Sequence, residues 1–184
     1  MKTTRNATLV DALLADEPAP EYVDQLGLYG QFIGDWLAKV VTHSAGGGRH
    51  EGRCEIRFDW ILEGRAIQDV WMIPSLRERR SGVAAPSLPV SGNWCGTTIR
   101  AYDGRISAWR IFWIDPATNA YGQQIGRRVG KDIVQEGRTD AGHLSRWSFT
   151  KITPSSFHWT AEGSTDEGAT WTLFVDVFAE RVQD

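Results

Sequence analysis

The sequence predicts a mainly β protein: a single up-and-down antiparallel β-barrel of about ten strands with short N-terminal helices. Three observations support this fold class. Short apolar segments with alternating polarity follow one another through most of the chain, turn sequences separate them at short intervals, and the 184 residues include 9 tryptophans and 19 glycines. Closing such a meander removes exposed strand edges, so a barrel is favoured over a sandwich, which is the alternative.

Two short helices are predicted before the first strand. Residues 7–15, ATLVDALLA, have a helical pattern that ends before the two prolines of the segment EPAPE. Residues 21–32, EYVDQLGLYGQF, have apolar side chains at helical spacing. We therefore expect residues 1–32 to form a helical extension packed on the barrel and residues 33–184 to form the barrel.

The rest of the chain predicts ten strands joined mainly by hairpins. The strands are expected at residues 34–43, 51–61, 66–74, 94–102, 105–114, 120–129, 132–138, 143–152, 156–162 and 170–181. Two-residue turns are indicated at Glu63-Gly64, Asp103-Gly104 and Gly130-Lys131. The connection at residues 75–93 is long and rich in Ser, Gly, Pro and Arg, which is compatible with a plain surface loop or with a lid.

Composition excludes several classes of protein. The net charge of −3 and the pI of about 5.8 argue against a nucleic-acid-binding face, which would be basic. No apolar run has the length of a membrane span, and the acidic residues near the N-terminus argue against a secretion signal. The two cysteines, Cys54 and Cys95, lack metal-type spacing and are expected to be reduced thiols of a cytoplasmic protein.

One family resemblance is carried by Gly34-Asp35-Trp36, which opens the first strand just after a short helix. This segment resembles the G-x-W signature of the lipocalins and the wider calycin superfamily, in which a basic residue of the last strand often packs on the tryptophan. Arg181 is placed for that role. The series FIGDW, ILEGRAIQD, TTIRAYDG, WRIFWIDP, IVQEG, RWSFTKITPSSFHW and STDEGATW is similar to uncharacterised bacterial calycin-like proteins. The resemblance implies a small barrel with a central cavity, in a superfamily that includes carriers, haem binders and a few cofactor-free enzymes.

Metal and cofactor sites find little support in the sequence. The four histidines show no ligand-pair spacing, and no phosphate-binding or nucleophile-elbow motif is present. Haem-binding nitrobindin-like barrels need an inward histidine, and only His158 lies well inside a late strand. Its flanking residues do not match that family's ligand segment, so we expect no haem, no metal and no other cofactor.

The hairpin EIRFDWILEGRAIQDVWMI, residues 55–73, places a carboxylate in an unusual position. A two-residue turn at Glu63-Gly64 sets Ile61 opposite Ala66 and Phe58 opposite Asp69. The first strand of the hairpin has an apolar face formed by Cys54, Ile56, Phe58 and Trp60. That face must point inward, and Asp69 is therefore predicted to point into the barrel.

The next hairpin suggests a partner for this carboxylate. A turn at Asp103-Gly104 would pair Arg100 with Ser107 and Thr98 with Trp109. One face then carries Gly96, Thr98, Arg100, Trp109, Ile111 and Trp113, and we favour it as the inner face. Arg100 would enter the cavity beside Asp69. A pair of this kind could be purely structural, or it could leave one member available to a ligand.

The later strands supply further candidate lining residues. On the inside we expect Tyr121, Gln123, Ile125 and Arg127, then Val134 and Glu136, with Arg127 as a partner of Glu136, and then Trp147 and Phe149. In the strand at 156–162 either Phe157 and Trp159 or His158 and Thr160 face inward, and the apolar pair is favoured. The candidate ligand-binding residues are Phe58, Trp60, Trp71, Trp109, Trp113, Tyr121, Gln123, Arg127, Trp147, Phe149 and Trp159.

Three functional hypotheses are compatible with this pattern. The first is a binding barrel for a small hydrophobic or aromatic metabolite, either neutral or anionic, in a Trp-rich cavity. The second is a cofactor-free isomerase, cyclase, hydratase or lyase, in which Asp69, Glu136 or His158 moves a proton and Arg100 stabilises negative charge. The third is a structural barrel with a filled interior. In each case the outer face could also pair two copies as a homodimer.

Overall fold

Ten strands close into an antiparallel barrel in the computed structural model, which describes residues 8–44, 46–81 and 94–183. The helices are α1 Leu9–Leu13, α2 Val23–Gly30 and α3 Leu76–Arg80, with a 3₁₀ turn at Pro20–Tyr22. The strands are β1 Leu14–Ala15, β2 Gly34–His43, β3 Arg49–Ile61, β4 Ala66–Met72, β5 Cys95–Asp103, β6 Ala108–Asp115, β7 Ala120–Val129, β8 Asp132–Arg138, β9 Leu144–Thr150, β10 Ser156–Ser164 and β11 Thr172–Arg181. The predicted fold class is confirmed.

The connectivity of the barrel is a closed meander. Each strand from β2 to β11 pairs with its neighbour along the chain, and β11 pairs with β2 to complete the ring. The two-residue strand β1 pairs with the end of β3 that extends beyond β2. Closure leaves the ten long strands without a free edge, which is the physical reason why a meander of this length is stable as a barrel.

One end of the barrel is closed by α2 and by the residues that follow it. Leu26, Tyr29 and Phe32 are fully or almost fully buried and form part of the same apolar core as the inward residues of the strands. The division of the chain at residue 32 remains a prediction. None of the helices in the described part of the chain is both long and apolar enough to span a membrane.

The predicted contact of Arg181 with Trp36 is present at this closed end. The guanidinium carbon of Arg181 lies 4.1 Å from the centre of the Trp36 ring. Arg181 also donates hydrogen bonds to the carbonyl oxygens of Gln31, Ile33 and Pro154. The indole N–H of Trp36 donates to the carbonyl of Phe32 at 2.7 Å. These bonds connect the last strand to the segment that enters the first barrel strand.

The register of the β3–β4 hairpin is as predicted. Phe58 pairs with Asp69, Trp60 with Ile67 and Ile61 with Ala66. At the next hairpin the predicted turn is wrong, because four residues, 104–107, connect β5 to β6 and Arg100 pairs with Ile111 rather than with Ser107. The predicted register is displaced by four residues. Because side chains alternate between the two faces of a strand, an even displacement keeps the same face inward, and the predicted inner face of β5 and β6 is correct.

The predicted inner face of β7 and β8 is wrong. Trp113 pairs with Gly122, which places Gly122, Gln124 and Gly126 inside the barrel and turns the alternate residues outward. In β8, Ile133 and Gln135 are completely buried. The residues predicted to lie inside, namely Tyr121, Gln123, Ile125, Arg127, Val134 and Glu136, therefore belong to the outer face.

The cause of this reversal is the space taken by α2. A Cβ atom added to Gly126 would lie 2.4 Å from the hydroxyl oxygen of Tyr29 and 2.7 Å from Cδ1 of Ile111. The inner face of β7 must be built from small residues here because Tyr29 fills the volume in front of it. The alternating pattern of the strand alone favours the face of β7 with the larger side chains as the inner face, and that prediction is wrong.

The long connection at residues 75–93 is only partly described. Ser75 caps α3, and its hydroxyl and the Glu78 carboxylate exchange hydrogen bonds with each other's backbone N–H groups. Residues 82–93 lie outside the described part of the chain, so the choice between a surface loop and a lid stays open.

Candidate functional site

A cavity of about 140 Å³ lies inside the barrel, towards the end opposite α2. Five tryptophans surround it: Trp71, Trp94, Trp113, Trp147 and Trp159. The other lining residues are Thr98, Arg100, Asp115, Thr118, Ala120, Ala161 and Val175. The cavity thus combines a wall of indole rings with a few polar groups, which is the usual composition of a small-molecule site.

The tryptophans of the wall contact one another and come from several separate elements. The rings of Trp71 and Trp159 have centroids 5.1 Å apart, those of Trp147 and Trp159 5.6 Å, and those of Trp113 and Trp147 6.1 Å. Trp94, which precedes β5, meets Trp113 and Trp159 edge to face. These tilted and edge-to-face pairs are the favoured aromatic geometries, so the rings hold each other in place.

The place of Trp113 depends on a glycine in the neighbouring strand. A Cβ atom on Gly96 would lie 2.4 Å from Cη2 of Trp113, so the indole ring lies directly over the backbone of β5. No other residue type leaves this space. Gly96 is accordingly part of the wall, although it carries no side chain.

Arg100 forms the floor of the cavity, and Asp69 is its partner. Both side chains are almost completely inaccessible, with 1% and 0% exposure. The Nη1 group of Arg100 donates to Oδ2 of Asp69, and the backbone N–H of Thr98 donates to Oδ1 at 2.9 Å. Each oxygen of the carboxylate is therefore hydrogen-bonded, and the charge of Asp69 is compensated as burial requires.

The other side of Arg100 is held by two polar residues beneath it. Its Nε–H donates to Oε1 of Gln135 at 3.3 Å, and the hydroxyl of Tyr29 donates to the same oxygen at 3.0 Å. The guanidinium carbon lies 5.2 Å from the Tyr29 ring, 5.7 Å from that of Phe58 and 5.8 Å from that of Phe149. Burial raises the pKa of Tyr29, so its hydroxyl remains a donor.

One nitrogen of Arg100 remains available. Nε and Nη1 have the partners given above, whereas Nη2 makes no hydrogen bond to any residue in the described ranges. Because Arg100 lines the cavity, the cavity is where these N–H groups can meet an acceptor. The two members of the pair therefore differ in their hydrogen bonding. Both carboxylate oxygens of Asp69 accept protein donors, whereas Nη2 of Arg100 is left for a ligand.

Asp115 is the second carboxylate beside the cavity and is completely buried. It accepts hydrogen bonds from the backbone N–H groups of Cys95 at 3.3 Å and Ala117 at 3.0 Å, and from the Thr118 hydroxyl at 2.8 Å. These bonds fix the loop between β6 and β7. The negative charge stays beside the cavity, but its oxygens are already used as acceptors.

The predicted ligand-binding residues were all expected inside the barrel, and the structure divides them into three groups: cavity wall, buried core and outer face. Trp71, Trp113, Trp147 and Trp159 line the cavity together with Arg100. Phe58, Trp60, Trp109 and Phe149 lie within the buried apolar cluster, where they contact the residues around α2. Whether any of them binds a ligand stays a prediction.

Several predicted residues lie on the outside and not in the cavity. Tyr121, Gln123, Arg127 and Glu136 are exposed, because β7 and β8 present their other face to the core. Arg127 and Glu136, expected to pair, form no ion pair in the described part of the chain. They line an open outer groove with side chains of β9 and β10.

His158 also lies on the outer wall, as expected from the inward positions of Phe157 and Trp159. Its Nε2 is 2.7 Å from Oδ1 of Asp176, and its ring stacks on Phe178 at 4.5 Å. His43 lies 3.0 Å from the other oxygen of the same carboxylate. The histidine is therefore far from the arginine with which it was grouped as an acid–base set.

Sequence reasoning missed six lining residues: the small or aliphatic Ala120, Ala161 and Val175, and the aromatic or polar Trp94, Asp115 and Thr118. Trp94 immediately follows residues 82–93 and precedes β5, and Asp115-Pro116 begins a turn, so neither has the alternating pattern of a strand interior. An aspartate followed by proline at the start of a turn is a sequence signal for a side chain that accepts the hydrogen bonds of the turn, and it could have identified Asp115. The residues described by the structure contain no cluster of three or more His, Cys, Asp or Glu side chains suited to a metal ion.

The two thiols lie in different environments. Cys54 is buried on the inner face of β3, and Cys95 is exposed. Burial raises the pKa of the Cys54 thiol, which keeps it protonated and unreactive. Neither cysteine belongs to the wall of the cavity.

Comparison with known proteins supports the fold. No protein-family model and no curated protein matches the sequence significantly. Among solved structures, Rv2717c from M. tuberculosis is similar with a TM-score of 0.59 and 11% identity, over 91% of this chain and 100% of that chain. The S-type phycobiliprotein lyase CPES from Guillardia theta is similar with a TM-score of 0.56 and 11% identity, over 91% of this chain and 99% of that one. At this identity the likeness establishes a shared barrel fold and no more.

Proposed function

We propose that this protein binds a small, largely apolar or aromatic molecule in the tryptophan-lined cavity. The observation that carries the proposal is the cavity itself, in which five indole rings surround one arginine with an unused donor. A barrel that served only as a structural element would gain stability by filling this space with side chains. Tryptophan walls also supply large apolar contact area with little loss of side-chain freedom.

We also propose a calycin-type relationship for the barrel. The Gly34-Asp35-Trp36 segment and the packing of Arg181 on Trp36 support it, as does the connectivity of the closed meander. Calycin-type barrels suit carriers because the fixed wall holds the cavity open in the absence of ligand. The relationship is one of fold and motif, and it does not select a ligand.

A cofactor-independent enzyme acting in the same cavity is the second candidate. The name of the Guillardia theta protein, a phycobiliprotein lyase, favours it, because a similar barrel has that role there. The assigned acid–base residues argue against it. Asp69 is fully hydrogen-bonded, and Glu136 and His158 face outward. An enzyme would need a different proton carrier, and Asp115 is the one carboxylate among the described lining residues.

The experiment that tests binding is titration of the intrinsic tryptophan fluorescence with a library of small aromatic compounds. We expect saturable quenching in the wild type, since five of the nine tryptophans line the cavity. The variant Ala161→Leu inserts a branched side chain into the cavity and should abolish saturation. Thr160→Leu changes the neighbouring residue, which points to the outer groove, and serves as the matched control.

Two results would contradict the proposal. The first is the absence of saturable quenching by any compound in the wild type. The second is binding that survives in Ala161→Leu and is lost in Thr160→Leu, which would move the site to the outer groove. Circular dichroism of both variants establishes that the barrel is intact.

A further inference from the structure

Two lining residues carry a hydrogen-bond donor that no described protein group satisfies: Nη2 of Arg100 and the indole N–H of Trp159. Arg100 is almost fully buried, its Nε and Nη1 groups are bonded, and Nη2 has no partner in the described ranges. Nη2 is not one of the completely buried unpaired atoms of the described residues, so it can be reached from the cavity, and hydrogen bonds to charged groups are among the stronger ones in proteins. A ligand with an acceptor oxygen at this point would satisfy it.

The charges around the cavity do not favour an anion at that point. Arg100 is the cationic residue of the described lining, and its charge is already compensated by Asp69. Asp115 adds a second carboxylate beside the same space. Two negative charges and one positive charge therefore surround the ligand, and a carboxylate or phenolate would enter against this balance in a site of low dielectric constant.

The hydrogen bonds around the cavity do not favour a cation either. Both oxygens of Asp69 and both oxygens of Asp115 already accept protein donors. An ammonium group in the cavity would meet the open N–H groups of Arg100 and would find no carboxylate oxygen that lacks a protein donor. Aromatic rings attract cations, but an ammonium group carries only donors and cannot accept a hydrogen bond from Arg100.

The size of the cavity limits the ligand further. Its volume of about 140 Å³ is close to that of an apolar protein cavity of about 150 Å³ that binds benzene. One substituted aromatic ring therefore fits this space. The tilted arrangement of the wall tryptophans is suited to a flat ring.

We propose that the cavity selects an uncharged, single-ring aromatic carbonyl compound, with the ring among the tryptophans and the carbonyl oxygen accepting a hydrogen bond from Nη2 of Arg100. This inference rests on the proposed binding function and specifies its ligand class. Arg100 owes this selectivity to its pair with Asp69. The carboxylate holds the guanidinium in position as a hydrogen-bond donor, and it compensates the positive charge that would attract anions.

Four probes of similar size test this proposal by isothermal titration calorimetry at pH 7. Acetophenone is the neutral acceptor, ethylbenzene lacks an acceptor, benzoate is the anion and benzylamine is the cation. We expect acetophenone to bind roughly tenfold tighter than ethylbenzene, the ratio that one hydrogen bond to a charged donor supplies, and also tighter than benzoate and benzylamine.

A charge-altering variant tests the role of the pair. Asp69→Asn keeps an acceptor oxygen for Thr98 and leaves Arg100 with an uncompensated charge. Benzoate should then gain affinity by roughly tenfold or more and displace acetophenone as the tightest probe. Glu136→Gln removes one acidic charge from the outer face and is the matched control, in which the order of the probes should stay as in the wild type. If Asp69→Asn does not fold, the order of the four probes in the wild type decides alone.

The outcomes separate this inference from the binding function. Tightest binding of benzoate or benzylamine to the wild type would overturn the selectivity argument while leaving a binding cavity. Equal affinity for acetophenone and ethylbenzene would overturn the role of Nη2. Failure of all four probes to bind would overturn the proposed function, and this inference with it.

Discussion

At the scale of single residues, the buried pair of Asp69 and Arg100 is the feature that most constrains the interior. Its hydrogen bonds include Thr98 on one side and Gln135 with Tyr29 on the other, so three strands and α2 meet around one guanidinium. Such a pair adds little net stability compared with apolar residues, because both charges lose their hydration. It does fix the register and the position of the surrounding strands.

Removing one member of this pair should destabilise the protein strongly. Arg100→Met leaves the Asp69 carboxylate buried without its counter-charge, and we expect a loss of about 3–5 kcal/mol in the free energy of unfolding. Urea denaturation followed by fluorescence measures it. The double variant with Asp69→Leu removes both charges and should be more stable than Arg100→Met alone. A double variant less stable than either single variant would contradict this account.

At the scale of elements, the contact between α2 and β7 decides which face of the later strands is inside. Tyr29 projects from α2 into the barrel, and Gly126 opposite it leaves the required space. The polar Gln124 and Gln135 are consequently on the inside, and apolar residues such as Tyr121 and Val129 are exposed. The helix thus determines the orientation of strands that lie about a hundred residues further along the chain.

This contact makes a clear prediction for a glycine substitution. Gly126→Ala places a methyl group within 2.4 Å of the Tyr29 hydroxyl oxygen and 2.7 Å of Ile111, so overpacking should cost about 1–3 kcal/mol of stability. Gly27→Ala in α2 is the control, since a Cβ there meets nothing within 4 Å. That variant should be neutral or slightly stabilising because alanine is the better helix former. Thermal unfolding of both proteins distinguishes the two effects, and equal melting temperatures would argue against tight packing.

At the scale of the whole molecule, the barrel has one filled end and one end with a cavity. The filled end contains α2, Trp36 and the phenylalanine cluster, and Arg181 connects its segments. The other end contains the five tryptophans. Arg100 and Asp69 lie between the two, which explains why the same pair both supports the core and forms the floor of the site.

The closed end should contribute to the stability of the entire barrel. Arg181→Met removes the contact with Trp36 and leaves the carbonyls of Gln31 and Ile33 without that donor. We expect a loss of about 1–3 kcal/mol in unfolding free energy. Arg127→Met, an exposed arginine without a hydrogen bond in the described structure, is the control and should change stability by less than about 0.5 kcal/mol.

The affinity for acetophenone gives a further check on Arg181→Met. It should remain unchanged, because the cavity lies at the other end of the barrel.

Equal unfolding free energies of Arg181→Met and Arg127→Met would show that the contacts of Arg181 do not stabilise the barrel.

The sequence by itself determined the fold class, the order of the strands and the inward position of Asp69. Strand alternation and the turn at Glu63-Gly64 are local properties, and they transmit register reliably over one hairpin. The inner face of β5 and β6 was also predictable, since an error of four residues in register does not change the face. Arg100 could therefore be named as the partner of Asp69 before the structure.

Only the tertiary structure decided which faces of β7 and β8 point inward and how the tryptophans divide between core and cavity. It also decided which atoms of Asp69 and Arg100 are hydrogen-bonded. These depend on volumes that distant elements occupy, above all Tyr29 of α2, and no local pattern encodes them. Hydrogen-bond satisfaction is likewise a property of the assembled site. The sequence could place Asp69 and Arg100 side by side, but only three-dimensional packing shows that both carboxylate oxygens accept hydrogen bonds and that Nη2 of the guanidinium has no partner among the described residues.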